Sequence, residues 1–295
     1  MKLLVTGVRG QVGWELSRSL MPLGEVLSLD RDACDLSHLE RLPDLIRSSK
    51  PDIIVNAAAY TGVDMAEREE KLATIVNGTA VGVLGEEARR ASALLIHFST
   101  DYVFDGSKSD PYTEEDVPHP VNAYGRSKLA GEIALHQADC DYIVLRTSWI
   151  FAARRRNFLR TILQLAQKHQ ELRIVDDQIG APTWARNIAD ATAILAEICC
   201  RKRRESAFTS SVFHLTASGA TSWHGFAEAI LEETTQDATQ VRPVVRRILS
   251  HERASPAVRP KNSRLANQRL NREFGIILPA WRRALSLCLE EMTHA

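Results

Sequence analysis

Alternation constrains this chain more than any other property. Apolar runs near 2–6, 25–30, 52–56, 93–99 and 141–147 alternate with stretches of helical periodicity near 11–21, 37–48, 71–91 and 124–138. Parallel neighbours need a crossover, and a helix is the crossover that also covers a sheet face, so the first half reads as α/β with a doubly wound parallel sheet. Past Trp149 the pattern loosens. Helices are expected near 156–169, 187–199 and 222–235, and strands near 172–175 and 212–216, before a proline-punctuated segment from 243 to 260. That mixture reads as a smaller α+β lobe.

The first strand runs into Gly7-Val8-Arg9-Gly10-Gln11-Val12-Gly13, which opens the first helix. Glycines at these positions let the backbone turn tightly, approach a pyrophosphate and pack helix on strand, while the helix N-terminus offers N–H groups and positive dipole to phosphate oxygens. Asp30 ends the second strand 17 residues after Gly13, near the spacing at which an acid accepts the hydroxyls of an adenosine ribose. Arg31 beside it would tolerate a 2′-phosphate, so NADPH and NADH both fit. A Rossmann-type dinucleotide-binding domain is therefore expected over 1–150. A substrate-binding lobe is expected over 151–295, with the chain crossing between them.

A second constellation lies at the end of the fourth strand, Ser99-Thr100-Asp101-Tyr102-Val103-Phe104, followed by Tyr124-Gly125-Arg126-Ser127-Lys128 at the start of a helix. Open α/β sheets place ligands at the C-terminal ends of their strands, so Thr100 is delivered to a binding crevice. Tyr124 and Lys128, four apart, share one helical face, where an ammonium beneath a phenol would lower its pKa from near 10 and make proton exchange with an alcohol oxygen easier. A loop rich in proline, from Asp105 to Pro120, would lie over the site.

With Asn56-Ala57-Ala58-Ala59-Tyr60-Thr61-Gly62-Val63-Asp64, Arg146-Thr147-Ser148-Trp149, Asp177-Gln178-Ile179-Gly180-Ala181-Pro182-Thr183 and Arg259-Pro260-Lys261-Asn262-Ser263-Arg264-Leu265, the chain resembles the extended short-chain dehydrogenase/reductases, and among them the dTDP-4-dehydrorhamnose reductase family, nearly end to end. The resemblance implies hydride transfer to the C4 ketone of dTDP-4-dehydro-6-deoxy-L-mannose. Tyr124 would protonate the alkoxide, Lys128 would hold the nicotinamide ribose, and Thr100 would bind the carbonyl oxygen. It further implies that Asp35 and Leu36 lie along the adenine, that Ala57, Ala59, Tyr60 and Thr61 flank the middle of the cofactor, and that Asp101 and Trp149 meet the sugar. Trp149 also reads as a core tryptophan closing the fifth strand. Arg259, Asn262, Ser263 and Arg264 read either as substrate-phosphate contacts or as a tie between the C-terminal segment and the sheet. Two other functions share the pattern: another sugar-nucleotide epimerase or dehydratase, and a non-catalytic subunit like the regulatory subunit of methionine adenosyltransferase.

In many members of that family a magnesium ion bridges two subunits through carboxylates, one at the position of Glu15. The second position here reads Arg186, and a guanidinium cannot ligate a cation, so no metal is expected and a homodimer stays open. Lys+Arg and Asp+Glu are both 37, so no net field draws the protein to nucleic acid or membranes. Arg154-Arg155-Arg156 and Arg201-Lys202-Arg203-Arg204 read as solvated surfaces, with a diphosphate contact as the second reading of the first, and His97 and His214 read as packed neutral rings. Five scattered cysteines without a C-x-x-C fit neither a disulfide framework nor a zinc site, and no run reaches the ~18 apolar residues of a membrane span, so a cytoplasmic protein is expected.

Overall fold

The computed structural model describes residues 1–234 and 242–293. Its first half runs β1 (Lys2–Thr6), α1 (Gln11–Ser19), β2 (Glu25–Leu29), α2 (Leu42–Ser49), β3 (Ile53–Asn56), α3 (Val63–Ala66), α4 (Glu70–Thr74), α5 (Ala80–Ala91), β4 (Leu94–Thr100), α6 (Ala123–Gln137) and β5 (Tyr142–Thr147). The second half runs β6 (Ile150–Phe151), α7 (Phe158–Ala166), β7 (Glu171–Val175), β8 (Ile179–Gly180), β9 (Thr183–Trp184), α8 (Ala185–Arg204), β10 (Ser211–His214), β11 (Thr221–Ser222), α9 (Trp223–Thr234), β12 (Val244–Ile248), α10 (Gln268–Phe274) and α11 (Trp281–Thr293).

Six strands form one sheet in the order β10-β5-β4-β3-β1-β2, every pair parallel. Successive side chains of a strand point to opposite faces, and the core divides accordingly. Leu3, Val5, Ile53 and Ile96 pack under Leu16 of α1 and Ile188 and Leu195 of α8, while Leu4, Ile54 and Leu95 pack under Ile46 of α2 and Leu84 of α5. This is the Rossmann-type α/β architecture expected from the alternation. A separate apolar core joins Phe151, Leu159, Phe226, Trp281 and Leu285 from α7, α9, α11 and the strands between them.

Four details differ from the sequence pattern. The expected helix over 71–91 is three pieces, with a π turn at Ile75–Thr79 between α4 and α5. The helix expected from 37 begins as a 3-10 turn at Leu39–Arg41, with the α-helix starting at Leu42 behind Pro43. The strand expected near 212–216 is the sixth strand of the sheet, with Ser211 opposite Ile143. Within the proline-punctuated segment, Val244–Ile248 forms a strand parallel to β7. The last residue of the helix expected to reach 235 lies outside the described residues. Among the described residues no helix is long and apolar enough to cross a membrane.

Candidate active site

β1 and β3 are neighbours, but the chain leaves β1 for the far side, toward β2, and later crosses back to β3, so the sheet's switch point falls between them. The glycine turn fills this point. Gly7 has φ +71°, and a Cβ on it would lie 2.6 Å from the Ala58 nitrogen, while a Cβ on Gly13 would lie 2.2 Å from the Gly7 carbonyl oxygen. Any side chain would therefore fill the cradle or push α1 off the sheet. The Gly10 N–H closes the turn on the Gly7 carbonyl at 2.8 Å, and no side chain caps α1, so its first N–H groups remain available to an anion.

A cleft of about 720 Å³ opens here. Gly7, Gly10, Gln11 and Val12 line it at one end, Arg31, Asp35 and Leu36 at another, and Ala57, Ala59, Tyr60 and Thr61 between them. Asp30 lies outside that lining, its carboxylate held by Arg9 at 2.5 Å and by the Ala33 N–H at 3.1 Å. Burial would raise Asp35, but hydrogen bonds from Ser37 and the Arg31 guanidinium outweigh it and lower its pKa to about 2. Asn77, in the π turn, was not singled out by the sequence. Its amide accepts the Tyr60 N–H at 2.8 Å and donates to the Ser127 hydroxyl at 2.9 Å, tying the loop after β3 to α6. A π turn in a helix is a known mark of functional sites, but no residue pattern announces one.

Beside the cleft, β4 ends at Thr100 and Asp101 opens a 3-10 turn, both residues buried. Asn122 caps α6 by accepting the Gly125 N–H at 2.8 Å, and Gly125 has no room for a Cβ, which would lie 2.1 Å from the Tyr102 carbonyl oxygen. That close approach seats Tyr124 near Thr100, whose hydroxyl donates to Asp101 Oδ1 at 3.0 Å and accepts the Tyr102 N–H at 3.1 Å. The helix is fixed from behind by a buried ion pair in which Arg146 of β5 donates to both oxygens of Glu132, at 3.0 and 2.6 Å.

The expected role of Lys128 in lowering the phenol's pKa is not met. Its ammonium nitrogen donates to the Phe98 carbonyl at 2.6 Å and lies 3.2 Å from His97 Nε2. Burial pushes the Tyr124 phenol up to about 12, Thr100's hydrogen bond opposing and Asp101's charge adding. Burial also lowers Lys128 to about 8, opposed by Glu132, and drives His97 well below its ordinary value. His97 is thus neutral, as expected, but it is more than packing. Asn56 Oδ1 accepts the Thr6 hydroxyl at 2.6 Å and the Ala58 N–H at 3.3 Å, so its amide N–H faces His97 Nδ1 at 3.1 Å. The ring thus links Asn56 to Lys128 through its two nitrogens.

Burial raises Asp101 from 3.8 to about 6 against hydrogen bonds from Ser263 and Thr100, and its Oδ2 has no partner among the described residues. A carboxyl whose pKa is raised by folding holds its proton longer in the native state, so stability falls as pH rises through the window from about 4 to about 6. Urea midpoints should show wild type losing ground to Asp101→Asn across that window and running parallel to it above. Parallel midpoints throughout would mean that the carboxyl is solvated.

Trp149, 9% exposed, stacks on Trp223 with ring centroids 3.6 Å apart and planes 5° from parallel, and takes a left-handed φ of +47°. Arg259 pairs with Asp64 at 2.9 Å and hydrogen-bonds Tyr102, and Asn262 donates to the Lys108 and Asp110 carbonyls at 2.7 and 2.8 Å. The 259–264 segment is thus joined to the long loop after β4 and to α3. Ser263 alone of the segment reaches Asp101. All five cysteines are free and buried, and burial raises their thiols, which makes them packing residues rather than nucleophiles.

Glu15 and Arg186 meet within one chain. Arg186 reaches Glu15 at 3.2 Å and Glu291 at 2.8 Å. A guanidinium already lies between the two carboxylates, so this donor set does not fit a magnesium ion. Sedimentation should give the same assembly state in magnesium and in EDTA; a species that dissociates on chelation would show that other carboxylates bind the ion.

A glycine cradle at the switch point of a parallel sheet, with a buried threonine and a tyrosine/lysine helix beside it, defines an oxidoreductase of the extended short-chain dehydrogenase/reductase class. Comparison with known proteins narrows this. The family model for the RmlD substrate binding domain matches residues 1–294, and the chain belongs to that family. It is 52% identical over 295 residues to the dTDP-4-dehydrorhamnose reductase of Burkholderia thailandensis, covering 99% of each chain. Among solved structures, that of a dTDP-4-dehydrorhamnose reductase from Clostridium acetobutylicum superposes with a TM-score of 0.89 at 32% identity, over 99% of this chain and 100% of that one. The Bacillus anthracis dTDP-4-dehydrorhamnose reductase in complex with NADP gives 0.86 at 30% identity, over 98% and 99%.

Proposed function

We propose that this protein is an NAD(P)H-dependent reductase of a nucleotide-linked ketosugar, converting dTDP-4-dehydro-6-deoxy-L-mannose to dTDP-L-rhamnose. The observation that carries the reading is the grouping of buried Thr100 at the end of β4 with Tyr124 and Lys128 of α6 beside the glycine cleft. Reduction of a ketone needs the acid protonated at the start, as a phenol with a pKa of about 10 or above is at neutral pH. The names of its relatives supply the substrate.

When bound, the nicotinamide supplies a hydride to the ketone carbon. Gly7, Gly10, Gln11, Val12 and Gly13 would cradle its diphosphate, and Ala57, Ala59, Tyr60 and Thr61 would flank its middle. Asp30, Arg31, Asp35 and Leu36 would meet the adenosine, with Asp30 first exchanging its contact to Arg9. Thr100 orients the carbonyl oxygen toward Tyr124, which gives up its proton to the new alkoxide, and the threonine hydroxyl stabilises charge developing there. Lys128 holds the nicotinamide ribose. Asp101, with its free buried oxygen, takes a sugar hydroxyl, and Trp149, braced on Trp223, forms an apolar wall for the 6-deoxy face. In this reading residues 1–150 carry the dinucleotide and 151–295 the sugar nucleotide, with α8 and β10 returning to the sheet. The reaction belongs to the cytoplasm, in keeping with five unpaired thiols.

The test is an absorbance assay at the nicotinamide band with the dTDP ketosugar and either cofactor. Oxidation that depends on the ketosugar supports the reading. Cofactor binding without turnover, together with a stoichiometric synthetase partner in pull-downs, would replace it by a regulatory subunit.

A further inference from the structure

Four arginines line the dinucleotide cleft, Arg9, Arg31, Arg155 and Arg156. Two are already neutralised: Arg9 lies 2.5 Å from Asp30 and 3.0 Å from Asp32, and Arg31 lies 3.0 Å from Asp35. Arg155 and Arg156 are exposed and have no carboxylate partner among the described residues. They are the unspent positive charge of a cleft that takes a polyanion. Their neighbour Arg154 is turned elsewhere, its guanidinium 5.0 Å from the Trp14 ring.

The loop that carries them, 152–157 between β6 and α7, is pinned to the glycine turn. Asn157 is the pin. Its amide nitrogen donates to Gln11 Oε1 at 3.0 Å and to the Ala152 carbonyl at 2.8 Å, and its Oδ1 caps α7 by accepting the Arg160 N–H at 3.0 Å. Gln11 is the first residue of α1, so the pin sets the loop beside the helix end whose free N–H groups face the cleft.

We propose that Arg155 and Arg156 form the cationic half of the site for the dinucleotide's diphosphate, facing the N–H groups of α1. The assignment rests on the reading of the cleft as a dinucleotide site. A diphosphate diester carries two negative charges, whereas the end of one helix supplies about half a positive charge. Two guanidinium groups from across the cleft complete the balance and offer paired donors to phosphate oxygens. Arg31 is at the adenosine end of the lining, so a 2′-phosphate belongs to it and the diphosphate to the loop. The chain's second half thereby contributes to cofactor binding, which makes the cleft's affinity depend on both halves.

Titration of the whole protein with NADPH and with NADH, followed by fluorescence, tests this on wild type, Arg155→Ala/Arg156→Ala and Arg155→Lys/Arg156→Lys. The alanine pair should weaken both cofactors alike, by about tenfold or more, and its affinity should fall less steeply with salt. The lysine pair should recover part of the loss. Unchanged affinity in the alanine pair would overturn the assignment, as would a loss confined to NADPH, which would place the arginines on the 2′-phosphate. A loss found only in the KM for the ketosugar would overturn it too, giving them to the substrate's diphosphate. Wild type binding neither cofactor would sink the dinucleotide reading itself, and this assignment with it.

Discussion

Replacing Tyr124 by Phe is expected to lower turnover by a factor of about 10²–10⁴, the usual span for a general acid, with little change in cofactor affinity. Phenylalanine keeps the ring that packs edge-on against Tyr102, at 6.0 Å between centroids, and removes only the hydroxyl that touches Thr100. The cofactor cleft loses no polar contact, so dinucleotide titration should be nearly unchanged while turnover of the ketosugar collapses. Burial and the charge of Asp101 raise the neighbouring Tyr102 hydroxyl as well. Turnover that survives the substitution would move the proton source away from α6.

The second large effect lies behind the site. Arg146 and Glu132 are each almost fully buried, and removing one leaves the other charged and uncompensated, at a cost of about 3–5 kcal/mol. Arg146→Ala should therefore lower the urea midpoint drastically. The double change Arg146→Met/Glu132→Leu should recover much of that loss, because the desolvation of both charges disappears together. If Arg146→Ala loses less than about 1 kcal/mol, the pair behaves like an exposed one, and α6 owes its position to something else.

Much of the fold could be read from residue order because local signals and tertiary structure agree in the first half. β1, β3, β4 and β5 are buried and carry apolar runs bounded by turn residues, and the glycine turn sits where its spacing requires. The second half gave less, for physical reasons. Val244–Ile248 reads Val-Val-Arg-Arg-Ile, without the alternation of a half-buried strand and close to prolines, and only pairing with β7 makes it a strand. Ser211–His214 belongs to the sheet through Ile143–Arg146, some 68 residues away, a partner no local period reveals. The site followed the same division. Types and spacing placed Thr100, Tyr124 and Lys128 together, but the direction of the lysine depends on His97 and Asn56, which come from separate strands. Arg155 and Arg156 read as surface because a run of arginines is usually that; their place at the cleft comes from Asn157 reaching Gln11 across 146 positions.

The late arrival of β10 has a consequence for how the chain is made. β5 is synthesised by residue 147, yet the strand that covers its outer edge ends at residue 214, after β6 to β9 and all of α8. Translation at roughly 5–20 residues per second leaves that gap open for several seconds. During this interval an apolar strand, every residue of it buried in the finished protein, presents unpaired N–H and C=O groups on the nascent chain. The pace of the ribosome over residues 148–210 then sets how long that edge stays open to wrong pairing.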